Sequence, residues 1–91
     1  MNPKVIIESL SMDLLRAALA LHRGSFSTAE RFKEEALKRS AELEPFLKSD
    51  QHLQKLAANT KKALEENSED IAEDLLMYSV RFKNLARFKF S

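Results

Sequence analysis

The chain contains no cysteine and no tryptophan, and only one glycine and two prolines among its 91 residues. Without a thiol there is no disulfide, no thiolate nucleophile, no iron–sulfur cluster and no cysteine-based zinc site. One glycine cannot furnish the tight turns of a sandwich or barrel, nor the glycine-rich loop that cradles a phosphate. A surplus of either charge is lacking too. Fifteen Lys and Arg face fourteen Asp and Glu, a formal net charge of +1, short of the basic excess of a domain built to neutralise phosphates. The longest unbroken apolar run, residues 17–21, is far below the ~20 residues that cross a bilayer. Glu8 and Asp13 interrupt the first apolar stretch before it reaches signal-peptide length. The expectation is a single cytoplasmic domain of 10.4 kDa, all-α, with no membrane contact, no cofactor and no metal.

What is present is helical periodicity. Ile7, Leu10, Leu14, Ala17 or Ala18 and Leu21 recur at alternating steps of three and four, one buried helical face. This predicts a first helix over 3–22, with Pro3 tolerated in the first turn and Gly24 supplying the left-handed residue that ends it. Val5, Ile6, Met12, Leu15 and Leu19 form a second apolar stripe, so this helix is central or also faces a partner. Ser27, Thr28, Ala29 and Glu30 read as a capping box that starts a second helix over 28–44, with Ala29, Phe32, Ala36 and Leu43 as its seam and Leu37 beside it. Pro45 biases Glu44 out of the helical region. Ser49 or Asp50 can cap a third helix over 50–66, whose apolar set is Leu53, Leu56, Ala57, Thr60, Ala63 and Leu64. Phe46 and Leu47 are expected to close the bottom of the core. Asn67 or Ser68 separates this helix from a fourth over 69–87, with Ile71, Leu75, Tyr78, Phe82 and Leu85 inward. Four such helices with short connections make an antiparallel up-and-down bundle.

Residues 24–37, within a hairpin spanning about 17–37, resemble the second half of a tetratricopeptide repeat. Gly24, Phe26, Ala29, Phe32, Ala36 and Leu37 fall where that family places its glycine, aromatic, small, aromatic, small and apolar positions. The same pattern is similar to the helix hairpin of nucleotidyltransferase-associated HEPN domains. Both resemblances imply a tight hairpin of antiparallel helices. The preceding helix departs from the tetratricopeptide aromatic pattern, and no second copy follows in residues 50–91, whereas such solenoids need about three copies. The resemblance therefore supports a hairpin and carries no activity with it.

Reactive constellations are sparse. Arg16 and His22 fit the loose arginine-then-histidine spacing of HEPN-type ribonucleases, but six residues of helical rotation set them about 120° apart. His22 suits the C-terminal end of its helix, where a dipolar or cationic donor is favoured. Glu65, Glu66, Glu69, Asp70, Glu73 and Asp74 form an acidic run. Neither histidine has a glutamate three residues before it, as the carboxylate metal sites of helical bundles require, and ion pairs with basic residues at the same end absorb the charge. No catalytic residue is assigned.

The last fourteen residues contain Arg81, Lys83, Arg87 and Lys89 without an acid, interleaved with Tyr78, Phe82, Phe88 and Phe90. Alternating bases and aromatics suit a single-stranded nucleic-acid platform. Acids in the first turn and bases in the last are also what a helix dipole favours. Phe88 and Phe90 lie beyond the seam that ends at Leu85 and are expected to be exposed. The sequence thus points to a non-enzymatic interaction domain, a homodimer or the binder of a helical protein, with Val5, Met12, Leu15, Leu19, Phe88 and Phe90 at the contact. The alternative is an RNA- or DNA-associated domain using Arg81, Lys83, Arg87 and Lys89.

Overall fold

The computed structural model describes residues 2–66 and 71–90. Pro3–His22 forms α1, Phe26–Leu43 α2, Gln51–Glu65 α3 and Ile71–Phe88 α4, with a single 3₁₀ turn at Glu44–Phe46. α1 has the bounds its sequence dictates. The Asn2 side chain accepts the Val5 N–H at 2.9 Å, and Pro3 fills the first turn, where a missing N–H costs nothing. Gly24, at φ +75°, ends the helix in a Schellman motif. There the Ser25 N–H donates to the Ala20 carbonyl at 2.9 Å and the Gly24 N–H to the Leu21 carbonyl at 3.1 Å.

That motif corrects the expected start of α2. The chain has already reversed by Ser25, whose carbonyl accepts the Ala29 N–H at 2.9 Å, so Phe26 is the first helical residue and the Ser25 side chain caps nothing. Ser27 and Thr28 are left inside the first turn, and the capping box does not form. Phe26 stands 68% exposed. At the other end α2 stops at Leu43, and Glu44 corrects the expectation set by Pro45: it keeps helical dihedrals, φ −46° and ψ −47°, and leads into the 3₁₀ turn. Of the two residues expected to close the bottom of the core, Leu47 is buried, whereas Phe46 is largely outside it, because neighbours in a 3₁₀ turn point about 120° apart. Asp50 caps α3, accepting the Leu53 N–H at 3.1 Å. The expected start of the fourth helix at Glu69, the Asn67 or Ser68 break and the Glu69 and Asp70 carboxylates lie outside the described residues.

The helices form an antiparallel four-helix bundle, and no strand occurs among the described residues. α1 packs closely on both α2 and α4, while α3 stands farther from its neighbours. Small side chains permit that approach. Ser11, Ala17, Ala18 and Ala20 on α1, Ala29, Ala36 and Ser40 on α2, and Ser79 and Ala86 on α4 are all buried. Where α1 crosses α4, the Ser11 hydroxyl donates to the Ser79 carbonyl at 2.8 Å and the Ser79 hydroxyl to the Ser11 carbonyl at 2.9 Å. Each helix thereby satisfies its buried hydroxyl on the other's backbone, which requires near-contact of the two chains. Ile7, Leu14, Leu43, Leu75 and Phe82 fill the space behind. The six core positions expected of α3 are all buried, and its Thr60 hydroxyl donates to the Leu56 carbonyl at 2.7 Å.

Ser79→Ala removes one of the reciprocal bonds and is expected to cost about 1 kcal/mol. Ser79→Leu must push α4 away from α1 and is expected to cost about 3 kcal/mol, at the upper end of overpacking penalties. Urea titration followed by helical circular dichroism measures both, and a Ser79→Leu chain as stable as the parent would contradict the close crossing.

Candidate interaction surface

Met12 marks the middle of the outward face of α1. Ser11, bonded to α4, and Asp13, which shares a groove with Arg39 of α2, each lie about 100° from it around the helix. The direction between them, away from α3, belongs to Met12. Val5 and Leu19 follow at seven-residue spacing on either side, within an arc of about 40°. All three are exposed to a similar degree, 41%, 45% and 42% for Val5, Met12 and Leu19. Leu15 is half-buried toward α4, whereas Ile6, the remaining member of the second apolar stripe, belongs to the core.

The adjoining edge of α4 extends this face. Lys83 and Arg87 line the α1–α4 groove with Lys4, Glu8 and Met12. Leu76 and Val80, one heptad before them, occupy the same edge and are 40% and 49% exposed. These two residues were not legible as surface, because their periodicity alone cannot distinguish a second stripe from the core. The marker that separates them is the Ser79 hydroxyl, which faces α1 and thereby orients α4.

The other expected contact residues lie elsewhere. Phe88, 76% exposed, borders the groove between α3 and α4 together with His52 and Leu56, on the far side of α4 from Met12. Phe90 corrects the expectation of an exposed tail. The Lys89 and Phe90 N–H groups both donate to the Leu85 carbonyl, at 2.9 and 3.3 Å, and this turn folds the Phe90 ring back against the core. The six residues therefore do not form one surface. Val5, Met12 and Leu19, with Leu15 at their margin, do.

The basic set also divides. Lys83 and Arg87 face the α1–α4 groove, while Arg81 and Lys89 border the α3–α4 groove, and Lys89 is paired with Asp50 at the start of α3. The Arg87 guanidinium lies 5.8 Å from the centre of the Phe88 ring. Arg16 and His22 are likewise apart in role. Arg16 and Arg31 flank the Phe32 ring at 5.7 and 5.6 Å in the α1–α2 groove, whereas His22 is exposed in the last turn of α1. Among the described residues no three histidine, aspartate or glutamate side chains gather to hold a metal ion. None of the described helices is long and apolar enough to cross a membrane. No protein-family model, curated protein or solved structure matches the chain.

Two carboxyls respond to their surroundings in opposite directions. Burial pushes Asp13 above its ordinary value, against the pull of Arg39 and of Arg16, whose guanidinium is 3.7 Å away. The hydrogen bond from Lys89, joined by the Leu53 N–H, holds Asp50 below its ordinary value of 3.8. Asp50 therefore contributes stability that is complete above 3.8 and is lost as the pH falls through its lowered value. Asp13 has the reverse sign, since its ionisation above the ordinary carboxylate range opposes folding. Asp50→Asn keeps a capping oxygen but loses the ion pair. It is expected to be less stable than the parent at about pH 7, with the gap closing as the pH falls through the lowered value of Asp50. Asp13→Asn is expected to be the more stable variant at neutral pH. Denaturant midpoints across this range test both, and gaps that ignore pH would rule out the assigned causes.

Proposed function

We propose that this is a non-enzymatic helical interaction domain that works by helix-to-helix contact and associates with itself. The observation that carries the reading is the exposed stripe Val5, Met12 and Leu19, continued by Leu76 and Val80. Isolated exposed leucines are ordinary on a protein surface, but a row in line with the bundle's long axis is the form that helix packing requires. A chain of this size buries only about 60 to 65% of its unfolded surface, so covering a further apolar face adds materially to its stability. Among the described residues the catalytic possibilities lack a hydroxyl nucleophile bonded to a histidine. The cytoplasm accompanies this reading, since a small secreted domain more often carries disulfide staples.

The nucleic-acid reading is the weaker one, because its four bases are divided between two flanks of α4 and one is already paired with Asp50. Size exclusion with light scattering and a full ultraviolet spectrum separates the two. With one tyrosine and no tryptophan, the protein absorbs weakly at 280 nm, so bound nucleic acid would dominate the trace. The expected result is a mass above that of the 10.4 kDa chain with protein-only absorbance. A monomer carrying strong absorbance at 260 nm would overturn the proposal in favour of the basic helix.

A further inference from the structure

The outward faces of α1 and α4 are self-complementary. If Met12 lies on a two-fold axis, residues equally distant on its two sides come level across an antiparallel pair. Val5 and Leu19 are each seven residues from Met12, so Val5 meets the partner's Leu19. Glu8 and Arg16 are each four residues away, so Glu8 comes level with the partner's Arg16. Both side chains are about half exposed, 55% and 51%. Their ion-pair contacts within the chain, to Lys4 at 3.9 Å and Asp13 at 3.7 Å, are too long for hydrogen bonds, so the Glu8 head is available, and the Arg16 head has only to turn from the Phe32 ring, 5.7 Å away, to reach it.

α4 repeats the relation independently. The reciprocal Ser11–Ser79 bonds set those residues level, which places Tyr78 level with Met12 in the antiparallel pair. The same axis then passes α4 at Tyr78. Leu76 and Val80 lie two residues to either side, and Glu73 and Lys83 five residues to either side. Leu76 therefore meets the partner's Val80, and Glu73 the partner's Lys83. Two helices yield apolar pairs and opposite charges from one axis. A parallel pairing would instead set Glu8 against the partner's Glu8 and Lys83 against the partner's Lys83.

From this charge and register complementarity we infer that the occupant of the α1–α4 face is a second copy of this chain, packed antiparallel about a two-fold axis at Met12. The inference rests on the self-association reading and specifies its surface, direction and register. The resulting interface is isologous, each patch meeting itself, as a closed dimer demands.

Single cysteines test the register in a chain that has none. Helices packed 8–10 Å apart bring the two copies of residue 12 to a Cα separation of about 4–5 Å, within disulfide range. Met12→Cys is expected to form a covalent dimer under mild oxidation at dilute concentration. Leu19→Cys is expected not to, because its two copies sit roughly 20 Å apart along the helices. Mixing Val5→Cys with Leu19→Cys chains restores the cross-link. Independently, Glu8→Arg opposes the partner's Arg16 and is expected to weaken dimerisation at least tenfold by light scattering. The double variant Glu8→Arg with Arg16→Glu is expected to recover it. Cross-linking through Leu19→Cys would overturn the antiparallel register in favour of a parallel one. A wild-type dimer that neither Glu8→Arg weakens nor Met12→Cys cross-links would overturn the surface while leaving self-association intact. A wild-type monomer at concentrations of about 1 mM would overturn both.

Discussion

The bundle depends on how closely α1 can approach its two neighbours. Alanine and serine on facing helices let the backbones come within reach of each other's carbonyls, and the paired Ser11 and Ser79 bonds are the direct expression of that approach. Any larger residue there would separate the helices and leave a buried hydroxyl or carbonyl without its partner. With α2 and α4 both drawn against α1, and α3 set behind them, none of the described helices covers the outward side of α1. The exposed stripe of Val5, Met12 and Leu19 follows from that closeness. A helix gripped on two flanks, with apolar residues on its outward side, is a consequence of packing before it is a statement about function.

The electrostatic layout serves the same geometry. The near balance of charges is distributed as local pairs along the helices, such as Arg39 with Glu42 at 2.7 Å, which contribute little individually. A pair that links separate elements is Lys89 with Asp50, tying the end of α4 to the start of α3. Asp50 serves twice there, as the cap of α3 and as the anchor of Lys89. The pair is partly exposed, so it fixes where α3 starts more than it adds to stability. Lys33 shows the other use of charge in the bundle. Its side chain is buried, with the Glu30 carboxylate 3.1 Å from its ammonium group.

Much of the fold was legible because it rests on short-range rules. The bounds of α1 followed from Pro3, the apolar period and Gly24, and the buried positions of α3 followed from spacing alone. Beyond Phe46, turned outward by the 3₁₀ turn, two features resisted for physical reasons. The start of α2 carried competing signals, the Ser27–Glu30 box and the glycine turn, and the turn prevailed because its hydrogen bonds close before the box is reached. Phe90 was misjudged because its burial depends on a turn after α4, formed by the two donors at the Leu85 carbonyl, which leaves no periodic trace. On the candidate surface, Val5, Met12 and Leu19 were visible as a second stripe. Ile6 in that stripe, and Leu76 and Val80 outside it, could be sorted only once Ser11 and Ser79 oriented the two helices.

Exposed apolar side chains by themselves do not select a partner, since hydrophobic attraction has no direction. Direction comes from what flanks them. On α1 the stripe is bordered by an acid on one side of its midpoint and a base at the same distance on the other, and α4 shows the same arrangement about the level that its serine bond defines. A surface meant for an unrelated helix has no reason to be antisymmetric in charge about its own centre, nor for two helices to share that centre. A surface that meets itself through a two-fold axis has both reasons. Like charges are then kept apart in the paired state and brought together in the parallel alternative, so the same residues that favour one arrangement disfavour the other. In the proposed pair the apolar residues supply the gain on burial, and the charges decide the direction.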